Sequence, residues 1–116
     1  MTSRLLAFAL TAAATVMAAP TLRQDMLVST DWLAQHQNDA KLIVLHVSAN
    51  RNTYDAGHIA GARFVGLGEL VVTRSGVPNE LPPVADLKKL FETLGVSNDS
   101  RVILYGDTSV LPATRA

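Results

Sequence analysis

The stretch Tyr54-Asp55-Ala56-Gly57-His58-Ile59-Ala60-Gly61-Ala62-Arg63-Phe64-Val65-Gly66 places three glycines around one histidine. Glycine is entropically costly in regular structure, so a cluster of them marks backbone that other residues cannot easily follow. Apolar runs flank the cluster. Before it stands Leu42-Ile43-Val44-Leu45-His46-Val47, nearly continuous, rich in branched residues and bounded by polar turns. That is how a strand covered on both faces reads, as in a parallel sheet. Within the stretch itself, Ala62-Arg63-Phe64-Val65 reads as a second short strand. Ser48 to Thr53 reads as a polar loop. Tyr54-Asp55-Ala56 is expected to make one helical turn, with Gly57 as its C-cap.

Upstream, Ser29-Thr30-Asp31 supplies N-cap residues before Trp32-Leu33-Ala34, which predicts a short helix to about His36, ended by Asn38-Asp39. Downstream, Gly68 to Pro83 is irregular, punctuated by Ser75-Gly76 and Pro78-Asn79. A helix then starts at Pro83. Leu87, Leu90, Phe91 and Leu94 fall on one face, Lys88, Lys89 and Glu92 on the other, with Gly95 at C′. Ser97 to Ser100 is a turn, and Arg101 to Tyr105 is a third strand closed by Gly106-Asp107-Thr108. Pro112 to Ala116 reads as the beginning of another helix. Strands alternating with helices predict an α/β fold with a parallel sheet, and the apolar third strand is expected to be central.

The chain has 116 residues and a formal net charge of zero. That bounds it to one domain and argues against nucleic acid or an anionic membrane as an electrostatic partner. It contains no cysteine, so it offers neither disulfide nor thiolate. Its first residues read as an export address. Met1 to Arg4 is a short positive region, Leu5 to Met17 is apolar, and Val16-Met17-Ala18 suits cleavage after Ala18. Residues 1–18 are therefore expected to be a signal peptide too short for a comfortable membrane span, with the mature protein periplasmic or secreted.

Tyr54 to Ala62 resembles the Y-x-x-G-H-I-x-G-A signature of rhodanese-like sulfurtransferases. Leu27-Val28-Ser29-Thr30-Asp31-Trp32-Leu33 resembles the opening of the N-terminal domain of tandem thiosulfate sulfurtransferases. Leu94 to Asp107 resembles that domain's later strand segment, and Ala113-Thr114-Arg115-Ala116 resembles the start of its next helix. The resemblance covers 26–116 and implies a partial, truncated rhodanese-like domain: an incomplete parallel sheet flanked by helices. On this reading Gly57 ends its turn in a left-handed conformation and Gly61 bends the backbone sharply into the next strand. Tyr54 completes the structural signature. His58 fixes the loop through ring hydrogen bonds rather than acting in acid–base chemistry, since no nucleophile stands beside it.

The family reaction the resemblance implies is a double displacement. A cysteine thiolate takes sulfane sulfur from a donor such as thiosulfate, forming a persulfide, and passes it to a thiophilic acceptor. A chain without cysteine cannot run it, so no catalytic residue, metal or cofactor is assigned here. Where the family usually has Asp-Val-Arg at the end of the first strand, this chain has His46-Val47-Ser48. Asp107, at the carboxyl end of a strand, either lines an interdomain cleft or caps the following helix. His36, His46 and His58 are expected to serve separate structural or surface roles rather than as a metal set. A Ser48, Asp55 and His58 hydrolytic trio is disfavoured because no nucleophile elbow is present. Asn98-Asp99-Ser100 fits a glycosylation sequon and reads more simply as a turn.

The leading expectation is the non-catalytic N-terminal part of an exported thiosulfate sulfurtransferase, partnered by a catalytic rhodanese domain. The alternative is a non-enzymatic binding module or truncated remnant. For the isolated chain, the unpaired edge and uncovered face of the third strand predict a soluble aggregate or molten state.

Overall fold

The computed structural model describes residues 26–107, 113–114 and 116. Its elements run α1 (Thr30–His36), β1 (Leu42–Ser48), α2 (Arg51–Ala56), β2 (Arg63–Gly66), β3 (Val72–Arg74), β4 (Val77–Glu80), α3 (Val84–Thr93) and β5 (Arg101–Tyr105). The expected leader lies outside the described residues, as do Thr108 and Pro112. Ala113 and Thr114 are helical. Among the described residues, no helix is long and apolar enough to cross a membrane.

The apolar run around the first predicted strand is the middle of the sheet. β1 is buried from Ile43 through Ser48 and pairs in parallel with β2 on one side and β5 on the other. Successive side chains of a strand point to opposite faces, and here each face feeds its own cluster. Ile43, Leu45 and Val47 join Val65, Leu70 and Ala113, with Leu87, Leu90, Phe91 and Leu94 of α3 packed against them. Val44 joins Leu33 and Ala62, beneath Trp32, Ile59, Ile103 and Tyr105. The fold is thus α/β, a three-stranded parallel sheet flanked by helices.

Four details correct the sequence reading. Among the described residues the third predicted strand, β5, stands at the edge of the sheet and β1 at its centre, and Val102 and Leu104 are 36% and 38% exposed. Apolarity tells that a strand's faces need cover, not which strands flank it. Second, the supposed loop Ser48–Thr53 is partly helical. Asn50 Oδ1 accepts the Asn52 N–H at 2.9 Å and so starts α2 at Arg51. Third, the irregular region contains an antiparallel ribbon, β3 with β4, turning through Ser75 and Gly76 at φ of 50° and 82°. Pro78 fits there because a two-stranded ribbon leaves outward edges that need no N–H.

The fourth correction concerns Gly57. It leaves α2 at φ 171°, ψ 135°, which is extended rather than left-handed. Its N–H closes the last turn onto the Thr53 carbonyl at 3.3 Å, and the chain then runs straight out of the helix. The positive φ falls instead at Gly61, 77°. There the expected sharp bend into β2 is made, with the Ala62 N–H bonded to the Ile59 carbonyl at 2.9 Å.

Candidate functional site

Parallel pairing of β1 with β5 sets His46 beside Tyr105. Two residues further along, the same register brings Ser48 to Asp107. Ser48 is 3% exposed, and its hydroxyl donates to Asp107 Oδ2 at 2.7 Å. The same hydroxyl oxygen accepts the Asn50 N–H at 3.2 Å. The Thr53 hydroxyl, on the first turn of α2, stands 2.9 Å from Asp107 Oδ2 and 3.0 Å from the Asn50 carbonyl. One carboxylate oxygen therefore gathers the end of β1, the start of α2 and the end of β5. The group lies at the carboxyl ends of the strands, where open α/β sheets bind ligands.

The loop after α2 is held by three aromatic residues. The Tyr54 hydroxyl donates to the Ala62 carbonyl at 2.8 Å, spanning the glycine-rich turn. The His58 ring stacks on the Tyr54 ring, centroids 3.8 Å apart at 10°. His58 Nδ1 donates to the Tyr54 carbonyl at 2.8 Å, because a carbonyl can only accept. The Tyr105 hydroxyl accepts the Ile59 N–H at 3.1 Å and so ties the loop to β5.

The conceivable Ser48, Asp55 and His58 trio is not brought together by these bonds. Ser48 donates to Asp107, Asp55 pairs with Arg51 at 3.4 Å, and His58 bonds the backbone of its own loop. A serine hydroxyl that donates to a carboxylate, with no imidazole accepting its proton, is not an activated nucleophile. The three histidines also go separate ways. His36 stacks on Trp32 at 3.9 Å and bonds its carbonyl at 2.7 Å. His46 is 3% exposed, and neither ring nitrogen has a hydrogen-bond partner. Tyr105, Tyr54 and Phe64 surround it, with ring centroids 4.6, 5.7 and 6.3 Å away. Among the described residues, no group of three or more His, Asp or Glu side chains could hold a metal ion.

Sequence reasoning singled out Asp107 but missed its partners Thr53 and Ser48, and missed Tyr105 as the anchor of the loop. The available signal was strand register. Aligning the two apolar runs end to end sets Ser48 level with Asp107.

The chain matches the Rhodanese-like domain family over residues 29–116. It is 41% identical over 86 residues to the "Sulfur carrier protein TtuD" of Thermus thermophilus, covering 72% of this chain and 28% of that protein. It is 34% identical over 84 residues to the "Putative thiosulfate sulfurtransferase" of Mycobacterium leprae, covering 72% of this chain and 30% of that one. The same figures hold for a protein of that name from Mycolicibacterium smegmatis. The chain thus spans less than a third of the length of these relatives.

Proposed function

The chain belongs to the rhodanese-like domain family, and from that footing we propose that it is the non-catalytic N-terminal part of a thiosulfate sulfurtransferase. The observation that carries the reading is a family match over 29–116 in a chain free of cysteine. Transfer of sulfane sulfur through a persulfide needs a thiolate. Here the thiolate comes from a partner, a catalytic rhodanese domain, and this chain supplies architecture. Its parallel sheet sets Asp107, held by Ser48 and Thr53, at the carboxyl end of the strands. From there Asp107 lines the cleft toward the catalytic domain. Tyr54, Gly57, His58 and Gly61 shape the adjoining loop.

Export completes the proposal. Residues 1–18 act as a cleaved signal peptide and 26–116 as the domain delivered to the periplasm or outside the cell. N-terminal sequencing of the exported protein should begin near Ala19, and a start at Met1 or Thr2 would contradict it.

The test of the function is a chimera in which residues 19–116 replace the segment they match in the Mycobacterium leprae relative. The parent, the chimera and the isolated chain are assayed for thiocyanate formed from thiosulfate and cyanide. The expected result is activity in parent and chimera and none in the isolated chain. Thiocyanate formation by the isolated chain, or its loss in a folded chimera, would overturn the reading.

A further inference from the structure

The three histidines differ in what a second ring proton would meet. His36 and His58 each use Nδ1 on a backbone carbonyl, at 2.7 and 2.8 Å, and neither has a buried nitrogen without a partner. His46 has two. A neutral imidazole carries one N–H and an imidazolium carries two. Protonating His46 in place would therefore add a charge and a further donor where no acceptor is in reach, among the costliest of burials. The groups that face it add to the cost. From β5 comes the Tyr105 ring, from α2 the Tyr54 ring with His58 stacked on it, and from β2 the Phe64 ring. The Arg51 guanidinium lies 5.4 Å from the Tyr54 centroid and 5.3 Å from that of Phe64, a like charge. The carboxylates on or beside these elements are engaged, Asp55 with Arg51 and Asp107 with Ser48 and Thr53. Arg101 and Arg63, the cations of β5 and β2, lie over Trp32 and on the Leu94 carbonyl.

We infer that His46 is an acid-released latch on the loop between α2 and β2. The ring is neutral while its aromatic cover is closed, and a proton enters only when the cover lifts and water reaches the ring. Acid then favours the open form, because that form binds one more proton. The closed form is therefore most secure in neutral solution and loses ground as pH falls. The part that lifts is defined by its ties. Tyr54 covers the ring from α2, and the Tyr105 hydroxyl holds the Ile59 N–H of the loop. Thr53, next to Tyr54 on the same helix, has its hydroxyl on Asp107. Displacing Tyr54 displaces Thr53 with it, and Asp107 loses one of the groups that orient it. His46 also points to the same face of β1 as Ser48, two residues on, so another holder of Asp107 stands beside the latch. The device uses the one side chain whose charge ordinarily changes near neutral pH.

The inference concerns the packing of this chain and stands whether or not the chain serves sulfur transfer. Its test is NMR on the full chain between about pH 7.5 and about pH 5.5. The ring signals of His46 should keep the positions of a neutral imidazole throughout. Exchange of the Ile59 amide, corrected for the intrinsic effect of pH, reads the opening of the loop. Its opening constant should rise about tenfold across that range, the factor set by one histidine that binds its proton only in the open form. His46→Leu should abolish the rise, and His58→Ala should keep it. A His46 ring that protonates across the range as an exposed ring does, or an opening constant that ignores pH, would overturn the latch. So would a rise that persists in His46→Leu or vanishes in His58→Ala.

Discussion

Ser48 Oγ and Asp107 Oδ2 are 2.7 Å apart in space and 59 residues apart in sequence. The bond is asymmetric in what it protects. Ser48 is buried, whereas Asp107 is exposed and has Thr53 as a further partner. A buried hydroxyl that loses its acceptor costs more than an exposed carboxylate that loses a donor, because water replaces the donor.

Asp107→Ala should therefore destabilise the fold by about 1–2 kcal/mol and Ser48→Ala by about 1 kcal/mol or less. The double substitution should cost little more than Asp107→Ala alone, since both remove the same bond. Urea unfolding of the three variants measures this. Fully additive losses would mean that the two side chains act separately.

His46→Leu should stabilise the protein. The imidazole has both nitrogens buried without partners, a penalty of about 1–3 kcal/mol. Losing its contacts with Tyr105, Tyr54 and Phe64 costs about 0.5–1.5 kcal/mol. Leucine is close to histidine in volume, so repacking is a small term. The balance is a gain of about 1 kcal/mol, read as a higher unfolding midpoint. A lower midpoint would show that the ring has a partner, such as an internal water.

Two glycines of one motif should respond in opposite directions. At Gly61, φ of 77° makes Gly61→Ala cost about 1–2 kcal/mol, although the added methyl meets nothing within 4 Å. At Gly57 the backbone is extended and the space beside it is equally empty. Gly57→Ala should be neutral or stabilising by up to about 1 kcal/mol, through a less flexible unfolded chain. Thermal unfolding of the pair decides it, and equal losses at both sites would refute the assignment of strain to Gly61.

His58→Ala should loosen the loop without touching chemistry. Removing the Nδ1 bond and the stack on Tyr54 should cost about 1 kcal/mol of stability. In the chimera, the rate of thiocyanate formation at saturating thiosulfate should stay within about twofold of its His58 parent. A drop of about a hundredfold or more in that rate, with the fold intact, would make His58 part of the reaction.

The elements that the sequence announced were those with long, regular patterns. β1 declared itself through an unbroken apolar run, and α3 through Leu87, Leu90, Phe91 and Leu94 on one face. The glycine motif located the loop correctly and misjudged only which glycine takes the left-handed turn. The ribbon β3–β4 was harder to see because each strand is three or four residues long, too short for alternation to stand out. Its second strand also contains a proline. The link between Ser48 and Asp107 was hidden for another reason: no local pattern encodes it, only the relative register of two distant strands.

That same separation governs the order in which the sheet can form. β1 leaves the ribosome long before β5, and each Cα partner of Leu42–His46 on β5 lies 59 residues further along. Nothing nearer in sequence pairs with that side of β1 among the described residues. Closing so large a loop must precede the bonds that reward it. The middle strand therefore waits, half-paired at best, until β5 has been synthesised. Until β5 arrives, the buried apolar run of β1 stands with one edge unpaired, and that interval is when the chain is most open to mispairing.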